Sequence, residues 1–294
     1  MTGVQTCALP IFNPKSGKGR AQEIASGIAN QLSKSNFQII SGKDADETLA
    51  LLRSKLSSNS LVISVGGDGL FNLALQGIKE LGVPIWVWPA GTGNDFWRTH
   101  YSQLLHYSNI DTVVDKLNVK IIDTAKVHFD AGSRYFAQVL SAGFDSFVNQ
   151  RANRLKFIRS SFKYTIATLL EIFRFKPLDY ELIIDGKIHN IKAMTVVVAN
   201  GPSYGGGMLI HPDALPTDGL LNVLVLRPVG KLELLRVFPK IFSGKHMNHP
   251  AIETFVARQI SIRTSAPVYA DGEFFTRDYC RIEVEPNSLK VAQF

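Results

Sequence analysis

The chain has 294 residues, 45% of them hydrophobic and 19% charged, with a net charge of +7, which excludes a disordered polymer and leaves room for two folded domains. Its two cysteines, Cys7 and Cys280, exclude a disulfide framework and a cysteine metal cluster, so a reducing, cytoplasmic setting is expected. No apolar stretch approaches the ~20 residues that span a bilayer and the start lacks a signal-peptide pattern, so membrane contact is expected only at the surface.

Residues 1–11, "MTGVQTCALPI", place Pro10 where a central parallel strand should read as a continuous Val/Ile/Leu run. They read equally as a non-native leader or as a frayed strand whose last residues, Ile11 and Phe12, still pair. From Asn13 onward helix-spaced and strand-like segments alternate: Ala21, Ile24, Ile28 and Leu32 predict a helix, Phe37 to Ile40 a short strand, and Leu49, Leu52 and Leu56 a second helix. A strand over 61–65, a helix from Leu70 to Leu81 and a strand from Pro84 to Trp88 follow. This is βαβ punctuation, and it predicts an α/β domain over residues 1–121 with an open parallel sheet. Beyond 122 the segments are β-rich and joined by turn signals such as Asp185-Gly186 and Asp271-Gly272, which predicts a mainly β, sandwich-like domain over 122–294. One helical stretch, Arg151 to Lys176, interrupts it, and the last strand is expected to return to the first domain.

Ligands of open parallel sheets bind at the carboxyl ends of the strands, where three glycine-bearing loops fall: "NPKSGKG" (13–19), "GGDG" (66–69) and "PAGTGNDF" (89–96). The first lacks the spacing of a Walker A loop and reads either as a phosphate loop or as a plain turn. The second follows a strand and opens a helix, the setting in which backbone N–H groups and the helix dipole attract phosphate; Asp68 there is either a metal-facing carboxylate or a helix N-cap. The third gathers Thr92, Asn94 and Asp95, and Asp95 likewise reads as a ligand or as a cap. On local grounds "VYADGEFF" is a hairpin with a type I′ turn, and "PDALPTDGLL" a surface turn.

Taken in order, these loops, with "SAGFDSFV" (141–148), "NGPSYGGGMLIHPDALPTDGLL" (200–221) and "DGE" (271–273), resemble the catalytic domain of diacylglycerol and sphingosine kinases, especially the soluble bacterial lipid kinases. The resemblance runs from Ile11 to the end of the chain. It implies an NAD kinase/phosphofructokinase-like nucleotide lobe, ATP and Mg²⁺ as cofactors, and transfer of the γ-phosphoryl group to a lipid hydroxyl, most simply that of diacylglycerol. It places ATP on Asn13, Pro14, Lys15, Ser16, Gly17, Ser41, Gly66, Gly67, Asp68, Gly69, Leu70, Phe71, Asn72, Thr92, Asn94 and Asp95. Asp68 would reach the nucleotide's Mg²⁺ through water, which accounts for a carboxylate among phosphate-binding glycines. Glu273, Asp271 or Asp68 would accept the hydroxyl proton, both lobes thereby contributing acidic groups. The carboxylate of Asp218 and the carbonyls of Leu215 and Leu220 would hold a structural Mg²⁺. A homodimer is a further implication. Where the family usually has Thr after "GGDG", this chain has Leu70. The runner-up readings are a soluble dinucleotide kinase of the NAD kinase type and a catalytically silent nucleotide- or lipid-binding module.

Charge bears on the acceptor. Between 151 and 176 seven Lys and Arg face Glu171 alone. The apolar residues Leu155, Ile158, Phe162, Ile166, Leu169 and Phe173 are spaced for one helix face, with Lys156, Arg159, Lys163 and Arg174 beside it. Such a helix suits an anionic membrane surface, or else packs its apolar face on the β domain. Nucleic acid is not expected as a partner, because the aromatics are not interleaved with Lys and Arg. The seven histidines show no zinc-binding spacing.

Overall fold

The computed structural model describes residues 7–13, 20–31, 36–91, 93–101, 118–154 and 162–293. The chain divides into two compact units, Met1–Asp123 with Asn287–Phe294, and Thr124–Pro286.

In the first unit strands and helices alternate: β1 (Cys7–Phe12), α1 (Arg20–Gln31), β2 (Asn36–Phe37), α2 (Ala45–Lys55), β3 (Ser60–Gly66), α3 (Asp68–Ile78), β4 (Ile85–Pro89) and α4 (Asp95–Tyr101). The strands pair in parallel in the order β4-β3-β1-β2, so all four deliver their carboxyl ends to one edge of the sheet. β1 pairs with β3 along six residues, from Cys7↔Ser60 to Phe12↔Val65, so it is a full central strand and not a frayed end. Pro10 is tolerated by its position. Its carbonyl accepts from the Ile40 N–H at 2.8 Å, so its donorless nitrogen faces the same neighbour, the short edge strand β2. That ladder is interrupted between Phe37 and the isolated bridge at Ile40, where the Pro10 N–H would have been needed.

The chain closes this unit by returning. Strand β14 (Glu273–Gln293) ends beside β4, with Val291 parallel to Ile85. Buried Asp123 accepts from the Asn287 N–H at 2.7 Å and the Lys79 ammonium donates to the Ser288 carbonyl at 3.3 Å, fixing the point of re-entry.

The second unit is mainly antiparallel. Strands β5 (Asn118–Phe129), which enters from the first unit, β6 (Gly132–Phe136), β7 (Val139–Gly143), β8 (Leu178–Ile184), β9 (Lys187–Ala193), β10 (Thr195–Ala199), β11 (Leu221–Leu226), β12 (Ile252–Ala257) and β13 (Gln259–Ala270) join β14. The ladder runs β12-β11-β10-β7-β13-β8-β9. It curves until β9 and β12 face each other, with the His189 and Phe255 rings 5.1 Å apart. Inward residues of successive strands, Leu140, Val196, Val223, Ile260 and Val268 among them, form the sandwich core. The other face of the sheet carries a second core, in which Val197 and Leu224 meet the helices.

The helices of this unit differ from expectation. The stretch 151–176 comprises two of them, α5 (Phe144–Arg154) and α6 (Phe162–Arg174), and a further helix, α7 (Lys231–Val237), continues into two 3₁₀ turns, Phe238–Ser243 and Lys245–Asn248. α5 starts seven residues before Arg151 because Gly143 (φ +122°) turns the chain and Ser146 caps the turn, its hydroxyl accepting from the Gly143 N–H at 2.9 Å. α6 buries the opposite face from the one its pattern suggests. Ala167, Thr168, Glu171 and Ile172 are inside, whereas Leu169 and Phe173 are 44% and 57% exposed. Glu171 points inward because it is ion-paired with Arg151 on α5. Leu155, Ile158, Lys156 and Arg159 lie outside the described residues.

Asp145 occupies the first turn of α5, with hydrogen bonds from the Tyr204 and Thr195 hydroxyls, and burial pushes its carboxyl up to about 6 despite them. The native state therefore holds this proton at pH values where an unfolded carboxyl, near 3.8, has lost it. Stability falls as pH rises from about 4 to about 6, by about 2–3 kcal/mol, and stays lower above that window. Asp145→Asn should remove this component: in urea unfolding, the stability of the wild type relative to the variant drops between pH 4.5 and pH 7.5. Parallel pH profiles would contradict the assignment.

Candidate active site

The carboxyl edge of the parallel sheet carries the residues that the sequence marks. Asn13 follows β1, Ser41 follows the Ile40 bridge, Gly67 follows β3 and Ala90 follows β4. Pro14, Lys15, Ser16, Gly17 and Thr92 lie outside the described residues.

Two glycines set the geometry of the rest. A Cβ on Gly91 would stand 2.4 Å from the Gly67 Cα, so the turn after β3 and the turn after β4 are in backbone contact that any side chain would break. Asn94 (φ +54°) holds the second turn shut, its amide accepting from the Gly91 N–H at 3.1 Å and donating to the Gly91 carbonyl at 3.0 Å. Gly67, extended at φ −103°, is the N-cap of α3 and gives it no side-chain cap. Asp68 is the next residue, and it caps a different helix: its Oδ1 accepts from the Phe96 N–H in the first turn of α4 at 3.2 Å. The other oxygen, Oδ2, lies 2.6 Å from where a Cβ of Gly93 would be, and Asp95 Oδ2 lies 3.4 Å from the same point. Asp68 and Asp95 thus bring two carboxylates against one bare glycine beside the glycine-rich turns. Each sits at a helix N-terminus, whose dipole offsets part of their repulsion.

Three marked residues serve packing. Leu70 covers Gly66, with Cδ2 2.7 Å from that glycine's missing Cβ. Phe71 is buried and stacks on Phe96 with ring centroids 3.8 Å apart. Asn72 is fully buried and accepts from Gln76 Nε2 at 3.4 Å. Phe71 and Asn72 thus turn their side chains into the core, whereas Leu70 stays partly exposed.

In the second unit Asp271 and Gly272 form a two-residue hairpin turn between β13 and β14, both with positive φ (+49° and +84°). The Asp271 carboxylate is buried and accepts three backbone N–H groups, those of Ala137 (2.9 Å), Gln138 (3.1 Å) and Val139 (3.1 Å), which ties the loop between β6 and β7 to the hairpin. Glu273 emerges from the turn exposed. Beside it lies Arg134, whose guanidinium donates to the Phe274 carbonyl at 3.2 Å and stacks 4.4 Å from the Phe275 ring. Burial pulls Arg134 below its ordinary range and the Glu273 carboxylate pushes it back up.

Leu215, Asp218 and Leu220 share one surface loop, turned at Gly219 (φ +71°), where Asp218 Oδ1 accepts from the Leu220 N–H at 3.0 Å. One carboxylate and two carbonyls make an all-oxygen donor set, the kind that a hard cation accepts. Among the described residues, no group of three or more His, Cys, Asp or Glu side chains could hold a metal.

Comparison with known proteins places this arrangement. Residues 8–128 match the diacylglycerol kinase catalytic domain, and residues 138–293 match the YegS C-terminal NAD kinase beta sandwich-like domain. A diacylglycerol kinase of Mycobacterium tuberculosis is 34% identical over 288 residues, covering 96% of this chain and 93% of its own. The chain belongs to the diacylglycerol kinase catalytic-domain family. Another member, a diacylglycerol kinase of Staphylococcus aureus, is 27% identical over 281 residues, covering 90% of this chain and 85% of its own. The crystal structure of a Bacillus anthracis diacylglycerol kinase superposes with a TM-score of 0.76 at 22% identity, covering 99% of this chain and 98% of its own, which shows a common fold.

Within this family frame, two residues that organise the two units escaped sequence reasoning. Asp123 sits in a strand with no motif around it, and only the return of the chain at Asn287 reveals its place. Arg134 belongs to an edge hairpin and is brought to Glu273 by strand pairing alone.

The glycine contact can be tested directly. Gly91→Ala should cost about 1–3 kcal/mol in chemical denaturation, because backbone must move to admit the methyl group. Gly27→Ala, in α1 with nothing within 4 Å of the new Cβ, should stabilise by about 0.4–1 kcal/mol. Asp271→Asn should cost about 1–3 kcal/mol by the same measurement, since an amide presents a donor where a second acceptor oxygen is needed.

Proposed function

We propose that this chain is an ATP-dependent lipid kinase that works at an anionic membrane surface and phosphorylates the hydroxyl of a diacylglycerol-like acceptor. The observation that carries the reading is the pair Asp68 and Asp95, held against Gly93 beside two mutually packed glycine turns at the carboxyl edge of a parallel sheet. Family membership supports the phosphotransferase chemistry, and the names of the curated relatives support the acceptor.

In this reading the turns after β1, β3 and β4 bind the nucleotide through backbone N–H groups, and Ser41, Asn94 and Thr92 orient it. Asp68 and Asp95 would hold Mg²⁺ on the phosphates; the bound ion neutralises charge on the oxygens of the transferred group. Asp218, with the carbonyls of Leu215 and Leu220, is assigned a structural Mg²⁺. Glu273 is assigned as the acceptor of the lipid hydroxyl proton. It is exposed and carries no structural bond of the kind that occupies Asp271. Asp271 then acts as a positioning residue that fixes the turn from which Glu273 emerges, with the Arg134 guanidinium beside it.

The test uses purified protein, Mg²⁺, γ-labelled ATP and a total lipid extract, followed by organic extraction. Label should enter the organic phase and co-migrate with phosphatidic acid. Asp68→Asn and Glu273→Gln should each lower turnover by at least about 10²-fold, in the range of general acid–base and electrostatic contributions. Glu273→Gln should leave nucleotide affinity unchanged, and Asp68→Asn should not. Label on NAD, or nucleotide binding without turnover, would refute the proposal.

A further inference from the structure

The outward faces of α6 and α7 carry large apolar side chains that water would be expected to drive inside. Leu169, Leu170 and Phe173 on α6 are 44%, 41% and 57% exposed, Leu232 at the start of α7 is 70% exposed, and Phe242 in the following 3₁₀ turn is 52% exposed. These positions belong to neighbouring elements. The Lys231 ammonium donates to the Phe173 carbonyl, which joins the start of α7 to the last turn of α6. Beneath them Ile172 and Leu234 share one core cluster. Phe238 and Phe242 pack edge to face at 6.4 Å.

The charge around this face is predominantly positive. Arg174, Lys176, Lys231, Arg236, Lys240 and Lys245 are all exposed. The two acids of these segments are engaged: Glu171 is turned inward onto Arg151, and Glu233 is paired with His249 at 3.0 Å. Large apolar groups beside unneutralised cations have the composition of a surface that inserts shallowly among anionic headgroups. A second copy of this chain would bring like charges together with no acid to meet them, so self-association is disfavoured.

We infer that the outward face of α6, α7 and the turn Phe238–Ser243 is a docking surface for an anionic lipid bilayer, Leu232 and Phe242 entering the headgroup layer and Lys231 and Lys240 meeting lipid phosphates. The inference rests on the lipid-kinase reading and extends it to an element, α7, in which the sequence pattern gave no hint of membrane contact.

The experiment measures co-sedimentation with phosphatidylcholine vesicles, with and without phosphatidylglycerol, alongside phosphorylation of a dispersed short-chain diacylglycerol that requires no bilayer. The wild type should bind only the anionic vesicles, and more weakly at high salt. Lys231→Gln with Lys240→Gln should weaken binding by about 25-fold, at about fivefold per cation. Leu232→Ser with Phe242→Ser should weaken it by at least about tenfold, for two partly buried apolar side chains. Both pairs should keep wild-type turnover of the dispersed acceptor, and the apolar pair should keep the wild-type melting temperature. Unchanged vesicle binding by the apolar pair would overturn the inference, as would a wild-type dimer that this pair converts to monomers. If the vesicle results hold but the wild type never labels the dispersed acceptor, the docking surface stands and the kinase reading fails.

Discussion

The contact between Gly67 and Gly91 is the constraint from which the candidate site follows. Two β-to-α turns can meet Cα to Cα only where neither carries a side chain, and the 2.4 Å that a Gly91 Cβ would leave admits no other residue. That approach brings the first turn of α4 within reach of Asp68, which accepts the Phe96 N–H, and lets the Phe71 and Phe96 rings stack beneath. It also places Gly93 under both carboxylates. A methyl group there would stand 2.6 Å from Asp68 Oδ2, so the space between the acids exists because this residue too is glycine. Three glycines with different local roles thus answer one demand, close approach, and conformational freedom at positive φ is not what any of them supplies.

The second unit reaches a comparable result with hydrogen bonds. Asp271 takes three backbone donors from the loop between β6 and β7, so the tip of the β13–β14 hairpin is anchored to a loop more than 130 residues earlier in sequence. A buried carboxylate with that many N–H partners is committed to structure. Its neighbour two positions on, across a turn in which both central residues have positive φ, is left exposed with a cation beside it. The "DGE" triplet therefore divides into an anchor, a hinge point and a presented acid, a division of roles that a shared motif conceals.

Where the sequence was legible, the reason was local. The alternation of helical and strand periods gave the parallel unit, and Asp-Gly pairs at 185 and 271 gave hairpins, because each depends on a few adjacent residues. Pro10 misled because proline in a central strand is usually disqualifying; the pattern could not show that its nitrogen faces the one gap in the β2 ladder. Asp68 reads as a plausible cap for its own helix and proves to cap another, since the partner, Phe96, is 28 residues away. The start of α5 was missed because Gly143 and Ser146 announce it by hydrogen bonds and a positive φ, while the apolar periodicity that signals a helix begins later.

Helix α6 shows how far periodicity can mislead about which face is buried. Side-chain polarity alone would turn the stripe holding Leu169 and Phe173 inward. The structure instead buries the side bearing Ala167, Thr168, Glu171 and Ile172. Small residues at 167 and 168 let α6 approach its neighbours, and Arg151 on α5 supplies Glu171 with its counter-ion. Rotating the helix to bury Phe173 would carry Glu171 out to water, leave Arg151 without that partner and bring larger side chains into the space that Ala167 and Thr168 fill. The orientation of α6 thus follows from its inward ion pair together with the small residues beside it, and the apolar stripe is left facing outward as a consequence.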